Sequence, residues 1–262
     1  MDTNDVRSAA RQAGDHPAIE HAARLGYAVN GVVHLVIAWL GLQLALGAGG
    51  GAADQSGALQ ALATTSLGRL VLWLAVVGFL GLGLWQLTET VLRYQKLSDR
   101  LKSAAKGVVY LFLAVSSFSY ARGDGGGSGQ SQSVDFTAAL MAKPAGRFLV
   151  VAVGLGIVGV GIFHLRKGWK RTFLEDLRRR PGPVAQRAGR FGYVAKGVAL
   201  GLVGTLFVVA GVREAPDRAT GLDGALRTLL DAPYGRVLLA AVALGFAAYG
   251  AYSFARARYA KV

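Results

Sequence analysis

Arg24-Leu25-Gly26-Tyr27-Ala28-Val29-Asn30-Gly31-Val32-Val33-His34 opens a long apolar run and returns twice in altered form. The second copy is Leu101-Lys102-Ser103-Ala104-Ala105-Lys106-Gly107-Val108-Val109-Tyr110, and the third is Arg190-Phe191-Gly192-Tyr193-Val194-Ala195-Lys196-Gly197-Val198. A fixed internal period marks a repeat architecture and governs how every other motif is read. A second mark follows each copy: Gly68-Arg69, Gly146-Arg147 and Gly235-Arg236, at 37, 39 and 38 residues from Gly31, Gly107 and Gly197. Each unit is therefore a helix, a connecting loop and a second helix. Beyond the Gly-Arg mark the copies align without gaps. Gly78, Gly156 and Gly245 share one position, Gly83, Gly161 and Gly250 another, and Trp85, Phe163 and Tyr252 a third.

Apolar residues make up 53% of 262, with a mean hydropathy of +0.39. They are gathered into six runs, roughly 28–46, 67–88, 105–121, 148–165, 193–212 and 237–255, each long enough to cross a hydrocarbon core of about 30 Å. A soluble fold would have to bury six helices that are apolar around most of their circumference, more than a chain this size can cover. The expected fold is an all-α membrane protein of six transmembrane helices, arranged as three parallel two-helix repeats around a pseudo-threefold axis. The units divide the chain into an N-terminal segment over 1–22, repeat 1 over 23–98, repeat 2 over 99–187, and repeat 3 with the C-terminal tail over 188–262. The first 23 residues are polar and carry no cleavable signal. Asp15-His16-Pro17 reads as a helix start leading into the first span.

The formal net charge of +14 is distributed by topology. Twenty-one of the 29 Lys and Arg residues fall on the side of the chain termini, whereas Asp and Glu divide almost evenly. Basic residues in loops face the cytoplasm, so both termini are expected there, in a bacterial inner membrane. The same excess attracts anionic lipid heads on the cytoplasmic side, and it removes the need for a nucleic-acid partner. The absence of cysteine excludes disulfides and thiolate chemistry.

Arg69, Arg147 and Arg236 stand at the outer ends of the even spans. They lie at helix N-termini, where the macrodipole disfavours a cation, so each needs compensation from lipid phosphate, a neighbour's carbonyls or a bound anion. Candidate lipid contacts on the inner side are Lys106, Lys196, Arg166, Lys167, Lys170 and Arg171. Polar groups within membrane depth are Asn30, His34, Gln86, Glu89 and His164, and such residues mark function by default. Two histidines on separate helices are the minimum for bis-imidazole haem, but neither recurs in the other units and their heights along the spans differ. No cofactor or metal is expected. No nucleophile has a base at a defensible spacing, so no catalytic set is expected either. The glycine-rich loops after spans one and three read as flexible linkers, followed by short outer helices around Leu62, Leu140 and Leu229.

The Gly-Tyr-x-x-(Lys/Asn)-Gly openings and the Gly-Arg marks resemble a bacterial integral membrane family of unknown function built from three copies of a two-transmembrane-helix repeat. The resemblance covers residues 22–256 and brings no site residues with it. Unit two departs from the pattern, with Lys102-Ser103 where the other units have Gly-Tyr. The reading that follows is a non-enzymatic structural or accessory membrane protein that binds lipid, with a protein partner in a membrane complex as a further expectation. The alternative is a channel or transporter for an anion or small solute through the pseudo-threefold pore.

Overall fold

The computed structural model describes residues 17–48, 50–92, 97–125 and 127–261, so the polar segment before Pro17 lies outside the described residues. Its helices are α1 (Pro17–Ala45), α2 (Gln55–Ala63), α3 (Ser66–Leu92), α4 (Leu97–Arg122), α5 (Gly129–Met141), α6 (Gly146–Trp169), α7 (Pro183–Arg213), α8 (Gly221–Leu230) and α9 (Gly235–Tyr259). Six of them, α1, α3, α4, α6, α7 and α9, are long and apolar enough to cross a membrane. The protein is all-helical, and α2, α5 and α8 are the short helices of the three connecting loops.

The spans pack side by side in the order α4, α3, α1, α9, α7, α6. Glycines set the contacts. A Cβ on Gly31 of α1 would stand 2.9 Å from the Gly250 carbonyl oxygen of α9, and one on Gly161 of α6 would stand 2.9 Å from that of Gly197 on α7. Gly83 of α3 and Gly107 of α4 face each other in the same way at 3.4 Å. These three pairs occupy one repeat position, so the even helix of each unit docks on the odd helix of the next, and the third unit returns to the first. Close backbone approach is how membrane helices associate when apolar burial gives no net gain over lipid.

Contacts within each unit do not follow one rule. Gly26 meets Gly78 in unit one, and in unit three Gly192 packs on the backbone of Tyr249. Unit two places Lys102 at the position of Gly26 and Gly192, and its Gly156 has nothing within 4 Å of an added Cβ. A lysine cannot enter a crossing built for hydrogen-sized side chains, and α4 and α6 accordingly do not pack on one another. The row of spans curves through α1 and α9 and stays open between α4 and α6.

The far end, opposite the termini, is covered. Helix α5 touches both α2 and α8. The buried Asp223 of α8 accepts the Ala53 amide at 2.7 Å, and Ser56 Oγ of α2 accepts the Gly129 amide of α5 at 2.7 Å. Asp54 caps α2 by accepting from Gly57 N at 2.9 Å. These short helices turn Leu59 and Leu226 into the bundle.

At the opposite, basic end the α6–α7 loop is pinned to the C-terminus. Arg178 N donates to Tyr259 O at 2.7 Å, and Lys261 N donates to Asp176 O at 3.0 Å. Phe173 is fully buried between the rings of Tyr193 and Tyr252. Arg24 of α1 donates to the carbonyls of Ala257 and Arg258, satisfying the last turn of α9.

Candidate functional site

Cationic and aromatic side chains from four of the six spans, α1, α6, α7 and α9, converge on the inside of the bundle near its basic end. The Arg256 guanidinium of α9 lies 4.2 Å from the Tyr27 ring centroid of α1. Its repeat equivalent Lys167 lies 5.5 Å from the ring of Tyr193, itself the equivalent of Tyr27. Cation and tyrosine thus meet in the same way at two of the three junctions between units. Lys196 of α7 stands over the Tyr249 ring at 4.4 Å and donates to His34 Nε2 at 3.3 Å. The other nitrogen of His34, Nδ1, donates to Asn30 O at 2.8 Å, which leaves Nε2 as the acceptor for lysine. Asn30 Nδ2 reaches Ser253 Oγ at 3.4 Å. From α4, the exposed Lys106 lies within electrostatic range of Lys167, Arg256 and Asp176.

Charge in this cluster is poorly balanced. Lys167 pairs with Asp176 at 2.7 Å. Lys106, Lys196 and Arg256 make no ion pair among the described residues. The Arg256 Nε is buried and has no hydrogen-bond partner. A lysine or arginine at the centre of a spanning helix costs about 3 kcal/mol on insertion scales, and the cost falls when an opposite charge or water reaches it. An unmet buried donor asks for a ligand in the same way.

Three segments of the chain, 25–93, 101–171 and 191–260, match DUF1206, a domain of unknown function. The chain belongs to this family. A DUF1206 repeat is therefore one odd and one even span with the short helix between them. "Uncharacterized protein YxxB" of Bacillus subtilis (strain 168) is 29% identical over 257 residues, covering 93% of this chain and 92% of the relative. No solved structure matches.

Within the DUF1206 bundle the sequence-derived candidates separate by depth. Lys167 and Lys196 turn into the cluster with His34, Asn30 and His164, whose ring lies 5.7 Å from Tyr193, whereas Lys106 is exposed on α4. Lys170 and Arg171 instead line a surface cleft of about 480 Å³ on the basic side, together with Arg178, Arg179, Arg180 and Lys261. Arg166 is exposed and joins neither group. Gln86 is buried in the α3–α4 contact, where Ser103 donates to its Oε1 at 2.7 Å, and Glu89 is half-buried one turn further on. The three far-end arginines do not act alike. Arg69 donates to Ala63 O at the end of α2, Arg147 pairs with Glu214 at 2.6 Å beyond the end of α7, and Arg236 is exposed. Sequence reasoning left Arg256 and Tyr249 off the site. The available signal was repeat position, since Arg256 aligns with Lys167.

Proposed function

We propose that this protein is a non-enzymatic, multi-pass protein of the bacterial inner membrane, with both termini in the cytoplasm, that binds anionic lipid from the cytoplasmic leaflet. Its role is structural or accessory, presenting or retaining such lipid, alone or for a larger membrane complex. The observation that carries this reading is the surplus of cations at one end of the bundle, inside it at Lys196 and Arg256, at the exposed Lys106 of α4, and on its surface at Lys170, Arg171 and Arg178 to Arg180. Each basic residue near an anionic leaflet contributes about 1 kcal/mol of attraction. A pore has less support, because α2, α5 and α8 meet over the far end and are joined through Asp223 and Ser56.

The test is the lipid that leaves the membrane with the protein. Chain extracted in mild detergent and washed should carry phosphatidylglycerol or cardiolipin well above their share of the source membrane. Co-purifying lipid of bulk composition would sink the proposal.

A further inference from the structure

We infer that the cluster of Lys106, Lys196 and Arg256 is a binding site for the phosphate of a single anionic lipid, which enters sideways from the bilayer between α4 and α6. The inference rests on the anionic-lipid reading above and adds to it a place, a route and a stoichiometry.

The place follows from charge. Arg256 aligns with Lys167 at the basic end of the even spans, and Tyr249, against which Lys196 rests, lies two turns deeper along α9, about 10 Å at 1.5 Å per residue. The cations therefore form a ladder from the membrane surface inward, on the inner wall of the bundle. Of the four, one is matched by a carboxylate, Asp176, and the pinned α6–α7 loop holds that carboxylate at the mouth. A phosphate brings the missing negative charge and several acceptor oxygens for the ammonium and guanidinium groups. Tyrosines complete the wall: Tyr27 under Arg256 and Tyr249 under Lys196 hold both cations in place by their ring faces.

The route follows from the open side. The crossings that close units one and three through glycine have no counterpart in unit two, where Lys102 replaces the glycine and Gly156 faces empty space. The flanking helices expose apolar side chains along their length, among them Val109 and Phe112 of α4 and Val153 and Ile162 of α6. Lys106, exposed on α4, and Lys167 on α6 lie within electrostatic range of one another, on the two helices that border this opening. A free anion has no use for an apolar side entrance. A lipid needs one, because its acyl chains remain in the bilayer while its head goes in.

The test uses the full-length protein in detergent, with dioctanoyl phosphatidylglycerol as probe, dioctanoyl phosphatidylcholine as the zwitterionic control and inorganic phosphate as the tail-less one. Native mass spectrometry should show one tightly held phosphatidylglycerol per chain, with no phosphatidylcholine and no tight phosphate. Lys196→Gln and Arg256→Gln should each weaken that binding about tenfold, the loss of one charge-assisted hydrogen bond, with Lys196→Arg restoring it. Lys143→Gln, exposed in the far-end loop after α5, should leave it unchanged. Gly156→Trp fills the side opening without touching a cation, so it keeps the site testable if a charge variant fails to fold, and it should abolish lipid binding. If wild type holds phosphatidylglycerol and all of these variants hold it equally well, the site is wrong while the lipid reading stands. If wild type holds no anionic lipid, the lipid reading falls first. If phosphate alone binds as tightly as the lipid and Gly156→Trp has no effect, the side entrance is refuted.

Discussion

Gly161 of α6 and Gly197 of α7 pack backbone against backbone, so that a Cβ on either would lie within 2.9 Å of the other's carbonyl oxygen. The same repeat positions meet as Gly250 with Gly31 and as Gly83 with Gly107. One sequence feature, used three times, thus holds consecutive units together. Helix α6 depends on it most, because it packs against α7 and leaves most of its remaining surface to lipid.

Substituting Gly161 or Gly197 by valine should detach α6 from α7. Overpacking a tight contact costs typically 1–3 kcal/mol, and here neither backbone can retreat without losing the seam. Thermal unfolding in detergent should fall by several degrees for either variant. Gly156→Ala on the same helix, which meets nothing, should be neutral or slightly stabilising through better helix propensity. Equal losses at Gly156 and Gly161 would contradict the packing.

Cross-linking should read the open side directly, since the chain contains no cysteine of its own. Gln86→Cys with Ser103→Cys places two thiols where side chains now hydrogen-bond at 2.7 Å, and a disulfide should form readily on mild oxidation. Lys102→Cys with Gly156→Cys occupies the positions at which unit one closes, and should stay reduced. Efficient bridging of that second pair would close the opening and remove the lipid route.

Asp223→Ala should loosen the far-end cover. The buried carboxylate accepts the Ala53 amide and the Arg227 guanidinium, so its removal strands a buried N–H and an arginine, at a cost of about 1–3 kcal/mol. Amide exchange should rise in α2 and α8 while α6 and α7 remain protected. Uniform loss of protection across all helices would mean that the cover is not a separate element.

Single cysteines also test the orientation. A cysteine at Ser128, in the loop before α5, should react with a membrane-impermeant maleimide in intact cells, and one at Lys261 should react only after the membrane is opened. The reverse pattern would turn the basic cluster away from the cytoplasmic leaflet and remove the reason to expect anionic lipid there.

Much of this could be read from the chain alone. Six spans, their far-end boundaries, the repeat and the basic side all follow from quantities that accumulate along a sequence, namely runs of apolar residues, a recurring glycine position and the placement of Lys and Arg in loops, whereas at the basic end the helices run on past the apolar runs, to Pro17, Leu97 and Pro183 at the starts of the odd spans. His34 was legible as a polar group at membrane depth because hydrocarbon gives such a group no local means of satisfaction, and Lys106, Lys167 and Lys196 as basic residues at the inner side of the spans. The replacement of Gly-Tyr by Lys102-Ser103 was visible too, although its consequence was not. Whether a glycine faces a neighbouring backbone or open space depends on where another helix has gone. Only the tertiary structure shows that Gly78 meets Gly26 while its equivalent Gly156 meets nothing. The placing of Arg256 on Tyr27 and of Lys196 on Tyr249 and His34 is also a tertiary fact, because these residues are far apart in the chain and come together only through the packing of α1, α7 and α9. Hydropathy decides that a helix enters the membrane, and contact between side chains decides which face it turns inward.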